Sequence, residues 1–219
     1  LYRDGKLVSN NYKNILRAQT NASAIPAEVT VRYGVTVRRT NIRNLPTGEG
    51  LFFYASDRNF DALQETALDP GEAVAILHTS TNGYFYYVQA YNYRGWLSKF
   101  DVAETDRATW SRYAAPKNFL TVIARDYTLK ADGAQVLFQQ GSRLQLADKK
   151  AASYTVKVPV RTKEGKLQEE KVILAANSSL HEGYLPYTTN NIIRSAFKFY
   201  DAVYGWGGLQ NSVDCSSFI

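Results

Sequence analysis

A chain of 219 residues, 45% of them hydrophobic and 21% charged, lies in the ordinary globular range, which excludes the disordered and fibrous classes and leaves room for one large domain or for two small ones and a remnant. A formal net charge of +6 favours an anionic partner such as nucleic acid, anionic lipid or a wall polymer, although so modest a balance usually reflects only a solvated surface. No apolar run approaches the roughly 20 residues needed to cross a bilayer, and Leu1 does not open a secretory signal, so the expectation is that any export signal or lipid anchor has been removed or was never present.

In chain order, Tyr12, Ile15 and Leu16 on the stretch Ser9–Gln19 predict one short amphipathic helix, with a looser segment Thr20–Pro26, as an arm packing on the next domain. From Thr30 to about Ala103 short strands alternate with turns. Val35-Thr36-Val37 alternates, Asn44 to Gly48 breaks, and Ala73–His78 and Tyr84–Gln89 run as strands around Thr81-Asn82-Gly83. Tyr93 to Leu97 closes the block, with Gly95 where a neighbour approaches closely. About five short strands in this span predict a small barrel.

A connecting stretch near Asp101–Lys117 precedes a second block, with strands at Phe119–Ala124, Gln135–Phe138 and Arg143–Leu146. Tyr154, Val156, Val158 and Val160 fall on one face of a further strand, and the turn Thr162–Lys166 leads into Lys171–Ala176 as a hairpin. This predicts a second small barrel. After Asn177 the period changes: Ile192, Ile193, Ala196, Phe197, Tyr200 and Val203 fall at helical spacing behind a Thr/Asn-rich cap, with Gly205 as the stop.

The last segment contains Tyr204-Gly205-Trp206-Gly207-Gly208 and then Val213-Asp214-Cys215-Ser216-Ser217-Phe218-Ile219. Cys215 is the one cysteine, so no disulfide framework or cysteine zinc cluster is expected, and the thiol is either buried filler or a nucleophile. Asp214 is a good N-cap, which predicts Cys215 in the first turn of a helix, where convergent backbone N–H groups favour a thiolate. The glycines are expected to let the incoming loop approach that helix end and to bring Tyr204 within reach of a reacting carbonyl.

A helix, then Tyr-x-Trp-Gly-Gly, then Asp-Cys-Ser-Ser-Phe resembles the nucleophile region of NlpC-type bacterial cell-wall cysteine peptidases. Arg39-Thr40-Asn41-Ile42-Arg43, Pro46-Thr47, Asp61-Ala62-Leu63-Gln64, Gly71-Glu72, His78-Thr79-Ser80 and Tyr93-Arg94-Gly95-Trp96-Leu97 resemble the first bacterial SH3-like domain of its multi-domain members. The resemblance implies a mainly β chain with some α: an N-terminal arm (1–29), two SH3-like β-barrels (30–103 and 104–182) and the beginning of a papain-like α+β peptidase domain (183–219). It further implies Cys215 as nucleophile, Tyr204 beside the Cys215 backbone N–H as oxyanion stabiliser, and Asp214 and Ser216 shaping the substrate pocket. Tyr93 matches a tyrosine that binds the free amino end of the stem peptide; its alternative is a packed aromatic among Tyr84, Tyr86, Tyr87 and Tyr91.

The implied activity is γ-D-glutamyl endopeptidase cleavage of peptidoglycan stem peptides with a free N-terminal L-Ala, without cofactor or metal, at the periplasm or cell surface first and in cytoplasmic recycling second, one thiol and no disulfide being compatible with both. The general base should be a histidine downstream of the cysteine. His78 and His181 both precede it, the first read as capping a strand and the second as lying in a linker, and the absence of methionine and the stop at Ile219 lead us to expect a fragment broken just after the nucleophile. Three other readings compete: a wall-binding protein with a silent peptidase remnant, an amidase or acyltransferase on the same fold, and a nucleic-acid binder, whose weakness is that acidic residues interleave with the basic ones.

Overall fold

The computed structural model describes residues 1–218. An Asp4-Gly5 pair, both residues left-handed (φ 51° and 77°), turns β1 (Tyr2–Arg3) back onto β2 (Lys6–Leu7), because a two-residue hairpin turn needs positive φ at both central positions. Ser9 then accepts a hydrogen bond from the Tyr12 backbone N–H and caps α1 (Asn10–Gln19), satisfying one of the free donors at the helix start. Leu16 is buried against Val8, Leu51 and Leu63. The arm therefore docks, as its amphipathic pattern predicts, and it does so on the loop between the second and third strands of the first sheet.

Seven antiparallel strands form that sheet: β3 (Arg32–Thr36), β4 (Thr40–Arg43), β5 (Gln64–Leu68), β6 (Ala73–Thr79), β7 (Phe85–Gln89), β8 (Arg94–Ser98) and β9 (Val102–Thr105), in the order β5-β4-β8-β7-β6-β3-β9. Alternation decides the inward face: Tyr86 and Val88 of β7 point to a core shared with Ile42, Val74, Ile76, Leu97 and Val102, while their neighbours face outward. Gly95 sits where the sequence suggests a close approach; a Cβ there would lie 2.6 Å from Ile42 and 2.7 Å from the Arg43 carbonyl oxygen.

β9 runs on to Thr105, beyond the expected end at Ala103, because it pairs with β3 from Thr36↔Val102 to Tyr33↔Thr105. The stretch read only as a connection forms α2 (Arg107–Ala114), started by the Asp106 carboxylate accepting from the Thr109 N–H at 2.8 Å.

The second unit contains β10 (Phe119–Val122), β11 (Asp126–Ala131), β12 (Ala134–Gln139), β13 (Arg143–Lys150), β14 (Ser153–Arg161), β15 (Leu167–Ala175) and β16 (Leu180–Glu182). Five of them form a sheet in the order β15-β14-β13-β10-β16, and β11 and β12 form a separate hairpin. Val156, Val158 and Val160 are buried together with Leu120, Val122, Phe138 and Leu144, and Tyr154 packs at the margin of this core. β11 is an addition to the strands expected from sequence. Its signal is Asp132-Gly133, both at positive φ, which is the preferred chemistry of a two-residue hairpin turn. His181, expected in a linker, is instead in β16 opposite Thr121, because burial of the adjacent Leu180 in the second core draws the segment onto the sheet edge.

The two units meet along polar contacts: the Glu104 N–H donates to the Gly165 carbonyl at 2.8 Å, the Arg161 Nε donates to the Val102 carbonyl at 3.0 Å, and Arg143 lies 3.8 Å from Glu72. Burial, the largest influence on Glu72, pushes its carboxyl above the usual range, and Arg143 only partly opposes this. The folded state thus holds the Glu72 proton more tightly than the unfolded state, so this group favours folding increasingly as pH falls through its raised folded value and disfavours it where ionised. Glu72→Gln is expected to be more stable than wild type at neutral pH, with the gap closing on acidification. Denaturant midpoints across pH check this; a Gln variant that is less stable at neutral pH, by an amount independent of pH, would refute it.

α3 (Thr189–Ala196) starts where Thr188 accepts a hydrogen bond from the Asn191 N–H. It does not continue to Gly205 as the periodicity suggests: after Ala196 the backbone tightens into a 3-10 turn over Phe197–Phe199. Ile192, Ile193, Phe197, Tyr200 and Val203 are all exposed. A cavity of about 580 Å³ lies between α3 and the second unit, with Ile192, Phe199 and Val122 among its walls.

Candidate active site

The segment from Tyr204 to Phe218 is shaped by its glycines and by one aspartate. At Gly205 a Cβ would stand 2.4 Å from the Leu209 carbonyl oxygen, and Gly207 and Gly208 have φ of 55° and 78°, so larger residues are strained at all three positions. The loop does approach the start of the cysteine helix, with the Gly205 N–H donating to the Val213 carbonyl and the Gly207 N–H to the Asp214 carboxylate, both at 3.0 Å, but what demands glycine at 207 and 208 lies elsewhere. Gly207 and Gly208 also press on the first unit, where added Cβ atoms would lie 2.7 Å from Gln64 and 2.8 Å from Ala67.

Asp214 caps the short helix α4 (Cys215–Phe218). Its Oδ1 accepts from the Ser216 and Ser217 N–H groups at 3.0 and 2.9 Å, and its Oδ2 accepts from the Gly207 N–H at 3.0 Å. Burial pushes the Asp214 carboxyl upward, but the hydrogen bonds from Ser217, Gly207 and Ser216 outweigh it and hold the group below its ordinary value. An ionised cap with this many donors is a rigid one.

The Cys215 thiol is exposed. The Tyr204 hydroxyl lies 3.9 Å from its sulfur, and the Ser216 hydroxyl is also 3.9 Å away. Partial desolvation first, and then the neighbouring thiol, push the Tyr204 phenol upward, with the Cys215 backbone N–H acting on the same oxygen in the opposite sense. Tyr204 is therefore a neutral O–H donor at physiological pH, directed at the Cys215 sulfur.

The structure brings together four of the five residues singled out from the sequence: Tyr204, Asp214, Cys215 and Ser216. Tyr93 lies in the turn before β8, where its carbonyl accepts from Ala90 and Gln89. Neither histidine is bonded to Cys215. His78 contacts the Asn21 carbonyl at 3.1 Å and its ring lies against Trp96, and His181 Nδ1 contacts the Gly183 carbonyl. Among the described residues no group of three or more His, Cys, Asp or Glu side chains has the geometry to hold a metal ion.

Several neighbours of the site lie outside the sequence motifs or join them in unexpected ways. Phe60 packs against Tyr204 and Trp206, with ring centroids 5.9 and 5.7 Å apart. The Trp206 indole donates to the Asp61 carbonyl at 3.1 Å, Gln64 Nε2 donates to the Gly207 carbonyl at 2.8 Å, and Arg39 donates to the Gly208 carbonyl at 3.0 Å. From the second unit, Gln139 donates to the Ser212 carbonyl at 3.2 Å and Asn211 donates to Asp126. The loop that delivers Cys215 is thus clamped by both sheet units. Nothing in local sequence announces a bond between residues as far apart as Gln64 and Gly207; the only hint is that Asp61 to Gln64 and Arg39 to Arg43 stand out as motifs.

Residues 51–98 match the family described as SH3 domain (SH3b1 type). No curated protein matches the sequence. An NlpC/P60 endopeptidase from Photobacterium damselae subsp. piscicida is similar in structure, with a TM-score of 0.71 at 23% identity over 96% of this chain. This chain spans 47% of that structure's length. An NlpC/P60 family protein from Bacillus cereus ATCC 10987 aligns with a TM-score of 0.61 at 14% identity, over 84% of this chain and 70% of its own. The chain therefore contains an SH3b domain, is mostly β with some helices, and shares its fold with NlpC/P60 endopeptidase structures.

Proposed function

We propose that this chain is the nucleophile-bearing part of a cell-wall cysteine peptidase that hydrolyses the γ-D-glutamyl–diamino acid amide of peptidoglycan stem peptides with a free N-terminal L-Ala. The observation that supports it most directly is the convergence of an exposed Cys215 thiol, the Tyr204 hydroxyl 3.9 Å away and the Asp214 cap, in a chain whose fold is shared with NlpC/P60 endopeptidases. In this reading the Cys215 thiolate attacks the amide carbonyl, forming a C–S bond. The resulting oxyanion is held by Tyr204 and the Cys215 N–H. The amine leaves with a proton, and water then cleaves the thioester to release the carboxylic acid and restore the thiol.

In the same reading the general base is a histidine outside residues 1–219, since His78 and His181 are engaged elsewhere. The second sheet unit is a second SH3-like domain, the two units bind wall polymer, Asp214 and Ser216 shape the substrate pocket, Tyr93 takes the free amino end of the stem peptide, and the protein works at the periplasm or cell surface. No described helix is long and apolar enough to cross a membrane.

The test is cleavage of L-Ala-γ-D-Glu-diamino acid peptides by the full-length protein, with N-acetylated L-Ala peptides as the comparison. Tyr204→Phe is expected to lower kcat by about 10²-fold, the usual cost of losing one oxyanion donor, with little change in KM. Tyr93→Ala should raise KM for the free-amine peptide and narrow its advantage over the acetylated one. Equal turnover of both peptides by wild type would remove the L-Ala specificity, and absence of cleavage would leave the wall-binding reading in its place.

A further inference from the structure

We propose that Gln64, assisted by Arg39, is a positioning residue for Cys215, so that the SH3b unit is a working part of the nucleophile site as well as a neighbour of it. This rests on the reading of Cys215 as nucleophile. Gln64 is only 4% exposed, and its bonds are directional. Its Oε1 accepts from Arg43 Nη1 at 3.1 Å, which orients the amide so that Nε2 faces the Gly207 carbonyl at 2.8 Å, with Asn41 and Thr66 sharing the donor.

Gly207 couples the two regions, because its two sides are held by different parts of the protein. Its C=O is held by Gln64, and its N–H is held by the Asp214 carboxylate that caps the cysteine helix. Displacing Gly207 therefore moves the cap, and with it the first turn containing Cys215. Arg39 adds a second point of attachment one residue on: it is fixed by Asp69 at 2.9 Å and donates to the Gly208 carbonyl. The same unit braces the other reacting group, since Phe60 packs on the Tyr204 ring. Thiol and phenol are thus both held from one scaffold, which keeps the 3.9 Å between them from being a matter of loop motion.

Gln64→Met, which keeps volume and removes both hydrogen-bonding functions, is the first variant to examine. In the full-length protein it should lower kcat by about 10–100-fold with KM within about twofold, as small misplacements of a reacting group do. Amide exchange at Gly207, Ser216 and Ser217 should quicken at least about tenfold while Val88 and Leu97 in the sheet keep wild-type protection. Unchanged kcat and unchanged exchange at those three amides would overturn the proposal, and so would a loss of protection spread through the whole sheet, which means a structural role only. If Gln64→Met does not fold, Arg39→Ala decides by the same two readouts. Should wild type cleave no stem peptide, the proposed activity fails, but the exchange comparison still decides whether Gln64 holds the Cys215 segment.

Discussion

Cys215→Ser is expected to abolish stem-peptide cleavage, with kcat reduced by about 10³-fold or more and KM little changed, because a seryl hydroxyl is far less ionised than a thiol and a poorer nucleophile at the same position. Structural damage does not compete as an explanation of such a loss. The thiol is exposed, an exposed Sγ→Oγ exchange leaves no cavity, and the Asp214 cap is made entirely through Gly207, Ser216 and Ser217. The unfolding midpoint of the variant should match wild type. Alkylation of the protein, followed by mapping of the peptide that contains Cys215, the one cysteine of residues 1–219, reports on this site. Stoichiometric alkylation with full retention of cleavage would sink the nucleophile assignment and favour the wall-binding reading.

The largest stability effect is expected at Asp61. Arg43 and Asp61 are each 5% exposed at the side chain and 2.7 Å apart. Arg43 also donates to the Glu49 carbonyl at 2.7 Å, and Asp61 Oδ1 accepts from the Leu51 and Leu63 N–H groups, both at 3.0 Å. Asp61→Ala strands a buried guanidinium and two buried N–H donors at once. Breaking a buried pair in this way costs about 3–5 kcal/mol, far more than the pair itself contributes to stability, since the penalty is that of a charge left without its partner. Asp61→Asn retains much of the shape and is expected to lose less. Urea unfolding followed by the Trp96 and Trp206 fluorescence should show the shift; a loss below about 1 kcal/mol would mean that water reaches Arg43. Since the Asp61 carbonyl also receives the Trp206 indole N–H, the variant should disturb the Cys215 loop as well.

The features legible in the sequence alone are local ones. Ser9, Thr188 and Asp214 are caps because a short side-chain oxygen reaches the N–H two or three residues on, and each caps a helix here. Strand faces are legible where alternation is clean, as at Val156 and Val158. Asp132-Gly133 carries the signal for the β11–β12 hairpin, and Asp106 with Thr109 carries the signal for α2, so both of these unexpected elements are written locally too.

The union of Tyr204, Asp214, Cys215 and Ser216 is also within reach of sequence, because these residues lie within one short stretch and the cap geometry brings them together. The length of α3 is not: the same apolar period is compatible with one long helix or with a helix followed by a 3-10 turn, and only backbone geometry distinguishes them. Nor does spacing show that Gly207 and Gly208 are glycines because Gln64 and Ala67 press against them, or that Phe60 stands on Tyr204. Caps and alternation are written in neighbours along the chain. The clamp on the cysteine loop is made between side chains of the first unit and backbone carbonyls of a distant loop, and a carbonyl has no identity in sequence, so the tertiary structure alone decides where it meets its donor.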